Sequence, residues 1–340
     1  MRKTTGACLT IGALLAACTS VQAEELNIYS SRHYDTDERL YSGFTEATGI
    51  DINRIEGEAD ELIERIRLEG DNSPADVLIT VDAGRLWRAE EAGIFQPTHS
   101  ELLDERIPAA LRHPEGLWFG FSSRARIIVY DKDDVDPALI QTYEDLARPE
   151  LKGKICIRSS SNIYNLSLMA SLIEHDGQDA ATQWANDVVG NFARAPEGND
   201  TAQIEAVAAG QCDVAVVNSY YVARILNADD DASKAIAEEI AVVFPNQQDR
   251  GTHVNISGAG VVAGAPHPEA AVKFLEYLAS DQAQAYFAGG NNEYPVVEGV
   301  KVDNPALEQM GDFKADEVNV AVLGENQPLA QVAFDEAGWR

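Results

Sequence analysis

Four tyrosines stand shortly after apolar, strand-like runs of the sequence: Tyr34, Tyr164, Tyr220 and Tyr221. The runs that precede them are residues 26–29, 154–157 and 212–217. In open α/β proteins the ligand crevice lies beyond the carboxyl ends of the strands, so we expect the four phenols to converge on one point. A single tyrosine is usually a packing residue, but four phenolates form a hard, anionic oxygen site that selects hard cations. Among the common biological metals, Fe(III) suits this cluster best.

Arginines accompany these tyrosines. Arg32 lies two positions before Tyr34, and Arg224 lies three or four positions after the paired tyrosines, on the same helical face. A nearby cation favours the ionised form of a phenol, whose ordinary pKa is about 10. We therefore expect Arg32 and Arg224 to lie beside the ligands and to orient phenolates. Two roles are considered for His33: it is either a metal ligand or a hydrogen-bonding residue.

The elements that would position these side chains alternate between strand-like and helix-like segments, which indicates an α/β fold. The first three pairs are strands at 26–30, 51–56 and 76–81, and helices at 37–48, 58–69 and 83–92. Strand–helix repeats of this regularity predict a mostly parallel sheet with right-handed crossovers.

Two long extended runs, 118–130 and 252–263, interrupt this alternation. Each is long enough to cross between lobes, so we predict a two-lobed protein with a hinge of two crossing strands and a ligand cleft. Helices are predicted at 143–146, 166–175, 180–189, 201–209, 219–227 and 270–288. The predicted domains are a first lobe of residues 24–124 with about 257–295, and a second lobe of 125–256 with about 296–340.

The amino terminus has the pattern of a secretory signal peptide, with a basic pair, an apolar core and small residues. Cleavage after Ala23 would release a soluble periplasmic protein, whereas a lipoprotein-like sequence before Cys18 would leave a lipid anchor; we expect the soluble form. The remaining 317 of the 340 residues suit two lobes. No later stretch approaches the ~20 consecutive apolar residues of a membrane span.

The formal net charge of −30 argues against nucleic acid as a partner, because phosphate binding needs clustered cations. Beyond the leader, Cys156 and Cys212 remain. In an oxidising compartment we expect a disulfide between them, the alternative being two buried thiols that pack as small hydrophobes. Hydrolase, zinc-protease and nucleotide-binding motifs are not found, so we expect a binding protein and not an enzyme.

Six motifs occur in order along the chain: YSSRHYDTD (29–37), SPADV (73–77), IRSSSNIYN (157–165), GNDTAQ (198–203), NSYY (218–221) and RGTHVN (250–255). Together they resemble the motifs of ferric-ion-binding proteins of bacterial iron ABC transporters, and the cyanobacterial-type, tyrosine-rich members most closely. The resemblance extends over essentially all of the chain after the leader. It implies a type II periplasmic binding protein fold, in which two α/β lobes joined by two crossing strands hold ferric ion in the cleft.

The resemblance also implies that the protein delivers iron to an inner-membrane ABC permease, and we expect it to act as a monomer. The four tyrosines correspond to the iron-ligating tyrosines of the family, and His33 matches a histidine that ligates in some members and not in others. Some relatives complete the site with a synergistic anion such as carbonate, while the tyrosine-rich type needs none. The alternative function is binding of a small organic or oxyanion solute, with the tyrosines stacking on it or hydrogen-bonding to it.

Overall fold

The computed structural model describes residues 24–32 and 34–340. The predicted signal peptide, the two cleavage alternatives at Ala23 and Cys18, and the role of His33 lie outside the described residues. Within the described residues, no helix is both long and apolar enough to cross a membrane. The strands are β1 Glu25–Ser30, β2 Asp51–Glu56, β3 Val77–Val81, β4 Phe119–Asp131, β5 Ile155–Cys156, β6 Val214–Asn218, β7 Ile240–Val243, β8 Val254–Val261 and β9 Tyr294–Pro295.

Helices alternate with the strands through most of the chain. The α-helices are α1 Glu38–Thr48, α2 Ala59–Glu69, α3 Ala83–Glu91, α4 Glu101–Arg106, α5 Ile163–Asp176, α6 Gln178–Val189, α7 Asp200–Ala208, α8 Ser219–Asn227, α9 Asp231–Glu239, α10 Pro268–Leu278, α11 Asp281–Asn291, α12 Pro305–Met310, α13 Val322–Glu325 and α14 Gln327–Ala337. Short 3-10 helices are Asp35–Asp37, Gly70–Asn72, Ala109–Leu111, Pro137–Leu139, Glu144–Ala147 and Pro149–Leu151. The segment predicted as a helix at 143–146 is therefore a 3-10 turn.

The strands form one mixed sheet with the order β2-β1-β3-β8-β4-β6-β5, and β7 and β9 pair with β4 beside this path. Parallel pairs occur only towards its ends, where β1 pairs with β2 and β3, and β5 pairs with β6. The long strands β4 and β8 run antiparallel to each other and to β6 and β3. The prediction of a mostly parallel sheet is wrong for the described strands, because helical crossovers join only the outer strands and the long central strands run against their neighbours.

Hydrophobic side chains cover both faces of the sheet at each end of the molecule. We call the end with β1–β3, α1–α4 and α10 the first lobe, and the end with β5, β6 and α5–α9 the second lobe. In β3, Val77 faces one first-lobe core and Leu78 the other, as the two-residue period of a strand requires. In β6, Val216 and Val217 likewise face the two cores of the second lobe.

Strand β4 crosses from one lobe to the other. Near its start, Phe119 and Phe121 pack in a first-lobe core, whereas Ile128 and Val129 pack in the two second-lobe cores. Strand β8 runs back beside it in the opposite direction. The two long extended runs of the sequence therefore form the pair of crossing strands that was predicted.

Two features of the carboxyl-terminal third differ from expectation. The single helix predicted at 270–288 is two helices, α10 and α11, because the Ser280 hydroxyl accepts a hydrogen bond from the Ala283 N–H and begins a new helix. The segment after Val300 has little sequence pattern yet forms α12, α13 and α14. The lobe boundaries themselves stay a prediction; Leu323 packs in a first-lobe core and Phe334 in a second-lobe core.

Cys156 and Cys212 form a disulfide with a Cα–Cα distance of 5.8 Å, which confirms the predicted pairing. It joins the end of β5 to the residues just before β6, inside a second-lobe core. The bond therefore fixes the two strands whose carboxyl ends lead to three of the four tyrosines.

Candidate metal centre

The four tyrosines lie where strands end, as predicted. Tyr34 follows β1 and immediately precedes the 3-10 turn Asp35–Asp37. Tyr164 lies in the first turn of α5, where the Asn162 side chain caps the helix and accepts the Tyr164 N–H at 3.2 Å. Tyr220 and Tyr221 are the second and third residues of α8, directly after β6. Three phenols thus start from helix N-termini of the second lobe, and one comes from a non-helical segment of the first lobe.

The structure brings these side chains together. The hydroxyl oxygens of Tyr164 and Tyr220 are 3.4 Å apart, and the rings of Tyr220 and Tyr221 lie 4.3 Å apart between centroids. The guanidinium carbon of Arg224 lies 5.3 Å from the Tyr34 ring, 5.2 Å from the Tyr220 ring and 5.6 Å from the Tyr221 ring. Arg224 therefore touches tyrosines of both lobes, within the usual range of cation–π contacts.

Burial favours the protonated form of three of these phenols, those of Tyr34, Tyr164 and Tyr220. Tyr220 is only 2% exposed, and burial raises its pKa well above the ordinary value; charges on Tyr164 and Tyr34 raise it further. Burial also raises the pKa of Tyr34 and of Tyr164. A bound cation must therefore displace protons, and a site of this kind binds more weakly as the pH falls.

A buried ion network lies beneath the first-lobe tyrosine. The guanidinium of Arg32 lies 4.9 Å from the Tyr34 ring and bonds to Asp37 at 2.9 Å and Glu293 at 3.1 Å. Arg124, on the crossing strand β4, bonds to the same Glu293 at 2.5 Å. Burial opposes ionisation of Glu293, but the charges of Arg32 and Arg124 lower its pKa to about 2. Arg32 is thus beside a tyrosine, as predicted.

Sequence reasoning missed Arg124 and Glu293. Arg124 lies 5.9 Å from the Tyr220 ring, and its Nε and Nη1 atoms are buried without a hydrogen-bond partner in the described part of the chain. The available signal was the pair of arginines, Arg124 and Arg126, inside a long extended run, because charged residues are almost never fully buried unless paired. The identity of the partner of Arg124, 169 residues away, had no local signal.

A second ion network supports Tyr164. The guanidinium carbons of Arg126 and Arg158 lie 5.8 Å and 5.4 Å from its ring, and both arginines bond to Asp200, at 2.8 Å and 3.2 Å. Asp200 is the first residue of α7 and is fully buried. Asn199 caps that helix, and its side-chain oxygen accepts the Ala202 N–H at 3.0 Å.

Phenol oxygens are the donors that the cleft offers. Across residues 24–32 and 34–340, no group of three or more His, Cys, Asp or Glu side chains is placed to hold a metal ion. His253, next to the crossing strand β8, is buried, and burial together with nearby cations lowers its pKa to about 3. The assignment of the individual tyrosines as ligands stays a prediction, as does the role of His33.

Two α/β lobes joined by antiparallel crossing strands, with polar side chains of both lobes meeting in the cleft, define a solute-binding protein of the type II periplasmic class. Residues 72–313 match the family model of bacterial extracellular solute-binding proteins, and the chain belongs to that family. The predicted fold class and the predicted family resemblance are confirmed.

Individual relatives and solved structures are more specific than the family model. The chain is 55% identical to iron uptake protein A1 of Synechocystis sp., over 95% of this chain and 90% of the relative. It is 58% identical to a Trichodesmium protein solved in complex with iron and citrate ligands, with a TM-score of 0.90 over 93% of this chain and all of that one. A ferric binding protein from Campylobacter jejuni is 40% identical, with a TM-score of 0.87 over 93% of this chain and all of that one.

Proposed function

We propose that this protein captures ferric iron in the periplasm and delivers it to an inner-membrane ABC permease. The observation that carries the proposal is the meeting of four tyrosines from both lobes, with the Tyr164 and Tyr220 hydroxyl oxygens 3.4 Å apart. Oxygen ligands about 2 Å from a hard cation lie about 3 Å from one another, so little movement is needed to bring these two oxygens onto one ion. The names of the relatives as iron uptake and ferric binding proteins support the same conclusion.

The proposed ligands are Tyr34, Tyr164, Tyr220 and Tyr221, with His33 as the candidate for a fifth position. Four phenolates carry one more negative charge than Fe(III) carries positive charge. The charges of Arg32 and Arg124 are balanced by Asp37 and Glu293. The guanidinium of Arg224, within 6 Å of three ligand rings, offsets that excess. Arg224 contacts three of the rings and would orient them once they are ionised.

The same site explains why the protein has two lobes. Three proposed ligands belong to the second lobe and one to the first, so the ion is fully surrounded only when the lobes are closed. Closure also removes water from the cation–phenolate contacts, which strengthens them. We further propose a soluble, monomeric periplasmic protein that binds its solute without chemical conversion and releases it when the permease opens the cleft.

Absorbance spectroscopy tests the proposal directly. Protein loaded with ferric nitrilotriacetate is expected to show a visible phenolate-to-iron charge-transfer band, which the variant Tyr220→Phe/Tyr221→Phe loses together with most of its affinity. Tyr277→Phe is the matched control, because Tyr277 packs beside Phe44 in the first lobe, away from the cleft. A colourless loaded protein, or a double variant that binds iron as tightly as the natural chain, would contradict the proposal.

One observation favours the alternative of an oxyanion solute. Arg124 carries two buried nitrogens without a hydrogen-bond partner among the described residues, and its guanidinium lies 5.9 Å from the Tyr220 ring. Thermal unfolding with citrate alone, ferric ion alone and both together separates the possibilities, because a ligand of the native state raises the midpoint. We expect ferric ion to give a large shift by itself. A shift with citrate alone and none with iron would favour the alternative.

A further inference from the structure

Asp82, in the turn between β3 and α3, has an unusual backbone. Its φ of 81° and ψ of 126° fall in a region that residues with a Cβ rarely adopt and that glycine occupies readily. Asn292 also has a positive φ, but with ψ of 30° it is in the left-handed helical region that asparagine tolerates. Such strain persists only where the surrounding structure enforces it, and it is concentrated at functional positions.

A glycine at position 82 would lack the hydrogen bonds that the Asp82 side chain accepts. Its buried carboxylate accepts three hydrogen bonds: from the Gly84 N–H at 2.9 Å, from the Ser167 hydroxyl at 2.7 Å and from the Asn255 amide at 2.9 Å. Burial raises the pKa of this carboxyl, whereas the bonds from Ser167 and Gly84 lower it. Asn255 is itself fixed, because its amide oxygen accepts the Ala83 N–H at 2.8 Å.

The three donors belong to three different parts of the molecule. Gly84 is in α3 of the first lobe, Asn255 is in the crossing strand β8, and Ser167 is in α5 of the second lobe. Ser167 is fully buried and lies three residues after Tyr164, one helical turn along α5. One carboxylate therefore joins the first lobe, the hinge and the helix that carries Tyr164.

This junction lies where the lobes are packed together. Helix α13 contacts both α3 and α5. At Gly84, helix α3 also lies so close to the first residue of α14 that a Cβ atom would lie 1.5 Å from the Gln327 amide nitrogen, and α14 packs against α5 and α6 of the second lobe. The carboxylate of Asp82 thus lies at a tightly filled contact between the lobes, next to the strand that connects them.

We propose that Asp82 is a positioning residue for Tyr164, holding α5 against the hinge so that Tyr164 meets Tyr34 in the correct place when the lobes close. The inference rests on the proposed function of the tyrosine cluster and concerns how that cluster is assembled. It accounts for the strained backbone, because a glycine at position 82 would relieve the strain but could not hold α5.

Two variants test this inference, and ferric affinity is measured by competition with a chelator. Asp82→Gly relieves the backbone strain and removes all three hydrogen bonds, so we expect affinity to fall on the order of tenfold to a hundredfold. Ser167→Ala removes only the bond to α5 and is expected to lower affinity on the order of threefold to tenfold. In both, the charge-transfer band is expected to weaken or shift, because the Tyr164 oxygen is displaced from the ion.

A double-variant cycle separates positioning from general destabilisation. If Asp82 acts through Ser167, then Asp82→Gly/Ser167→Ala binds iron no more weakly than Asp82→Gly alone. The matched control is Asp230→Gly, which removes another helix-capping carboxylate, at the start of α9, that bonds to Ser233 within its own lobe. This control is expected to bind iron like the natural chain.

Small-angle X-ray scattering of the iron-free proteins provides a readout that does not depend on iron. Asp82→Gly and Ser167→Ala are expected to have a larger radius of gyration than the natural chain, because the lobes are held together less firmly. Equal radii, unchanged affinity with an unchanged band, or fully additive losses in the cycle would each overturn the inference. A natural chain that binds no ferric ion would overturn the proposed function instead, and the scattering result would still decide the role of Asp82.

Discussion

The two lobes contribute to the tyrosine cluster in different ways. The second lobe supplies Tyr164, Tyr220 and Tyr221 from the first turns of two helices, α5 and α8, whose supporting strands are joined by a disulfide. The first lobe supplies Tyr34 from a non-helical segment beside a buried ion network. Three phenols therefore contact one another and are held on helices, while the fourth lies on the opposite side of the cleft.

This difference suggests a division of roles. We propose that the three neighbouring phenols bind the cation first, and that closure of the first lobe then adds Tyr34 and excludes water. Arg224 belongs to the second lobe yet lies over the Tyr34 ring at 5.3 Å, so it marks where the two contributions meet.

The largest effect is expected from removing second-lobe phenols. Tyr220→Phe/Tyr221→Phe should weaken ferric binding by about three orders of magnitude or more, because two charged ligands are lost. Tyr34→Phe should weaken it by only about ten- to a hundredfold and leave a coloured complex with the remaining phenolates. Chelator competition and visible absorbance measure both quantities. Equal losses in the two variants would show that the lobes contribute equally.

The next effect is a steep dependence of ferric affinity on pH. Burial raises the pKa of Tyr34, Tyr164 and Tyr220, so these phenols are protonated in the free protein at neutral pH and must release protons on binding. Affinity should therefore rise with pH and fall as the pH is lowered. Proton release in a weakly buffered titration should approach about four per ion, and three in Tyr34→Phe. Binding without proton release would contradict phenolate ligation.

The ion network of the first lobe is expected to matter for stability. Glu293→Gln leaves Arg32 and Arg124 buried with one partner fewer, so the free energy of unfolding should fall by about 3 kcal/mol in urea titrations. The pKa of Glu293 is depressed to about 2, and hence its contribution is present above the unfolded-state pKa of ~4.3 and lost as the pH falls towards 2.

The control for Glu293→Gln is the natural chain measured over the same range of pH. The difference between the two proteins should be largest above pH ~5 and should shrink towards pH ~2. A difference that persists unchanged in strong acid would mean that the carboxylate charge is not what stabilises the network.

The smallest effect is expected at the arginine that joins the lobes. Arg224 is exposed, and its contacts with the three rings are cation–π contacts, so Arg224→Gln should weaken ferric binding by only about threefold to tenfold. The midpoint of thermal unfolding without iron should hardly change. Arg39→Gln is the matched control, because Arg39 lies over the Tyr286 ring at 6.0 Å, outside the cluster. If the two variants bound ferric ion equally well, Arg224 would have no role in the binding site.

Much of the local structure could be predicted from the sequence. The period of apolar residues predicted the bounds of α1, α2 and α3 to within about two residues. The apolar runs before the tyrosines predicted strands that end shortly before each of them. The split between α10 and α11 was missed because the apolar pattern continues across Ser280, whose capping role depends on one hydrogen bond. Helix α9 and strand β7 were missed as well, since their short patterns resemble those of loops.

The donor chemistry can be predicted from the amino-acid sequence alone: four phenols follow strands, arginines lie beside them, and two cysteines are able to pair. These properties are local, because helix periodicity, capping and strand ends depend on neighbouring residues. The antiparallel arrangement of β4 and β8 at the centre of the sheet, in contrast, is established only by the folded chain. The contacts of Glu293 with Arg124 and of Asp82 with Ser167 likewise appear only in the folded chain. The partners of each pair are far apart in sequence, so no local pattern predicts them.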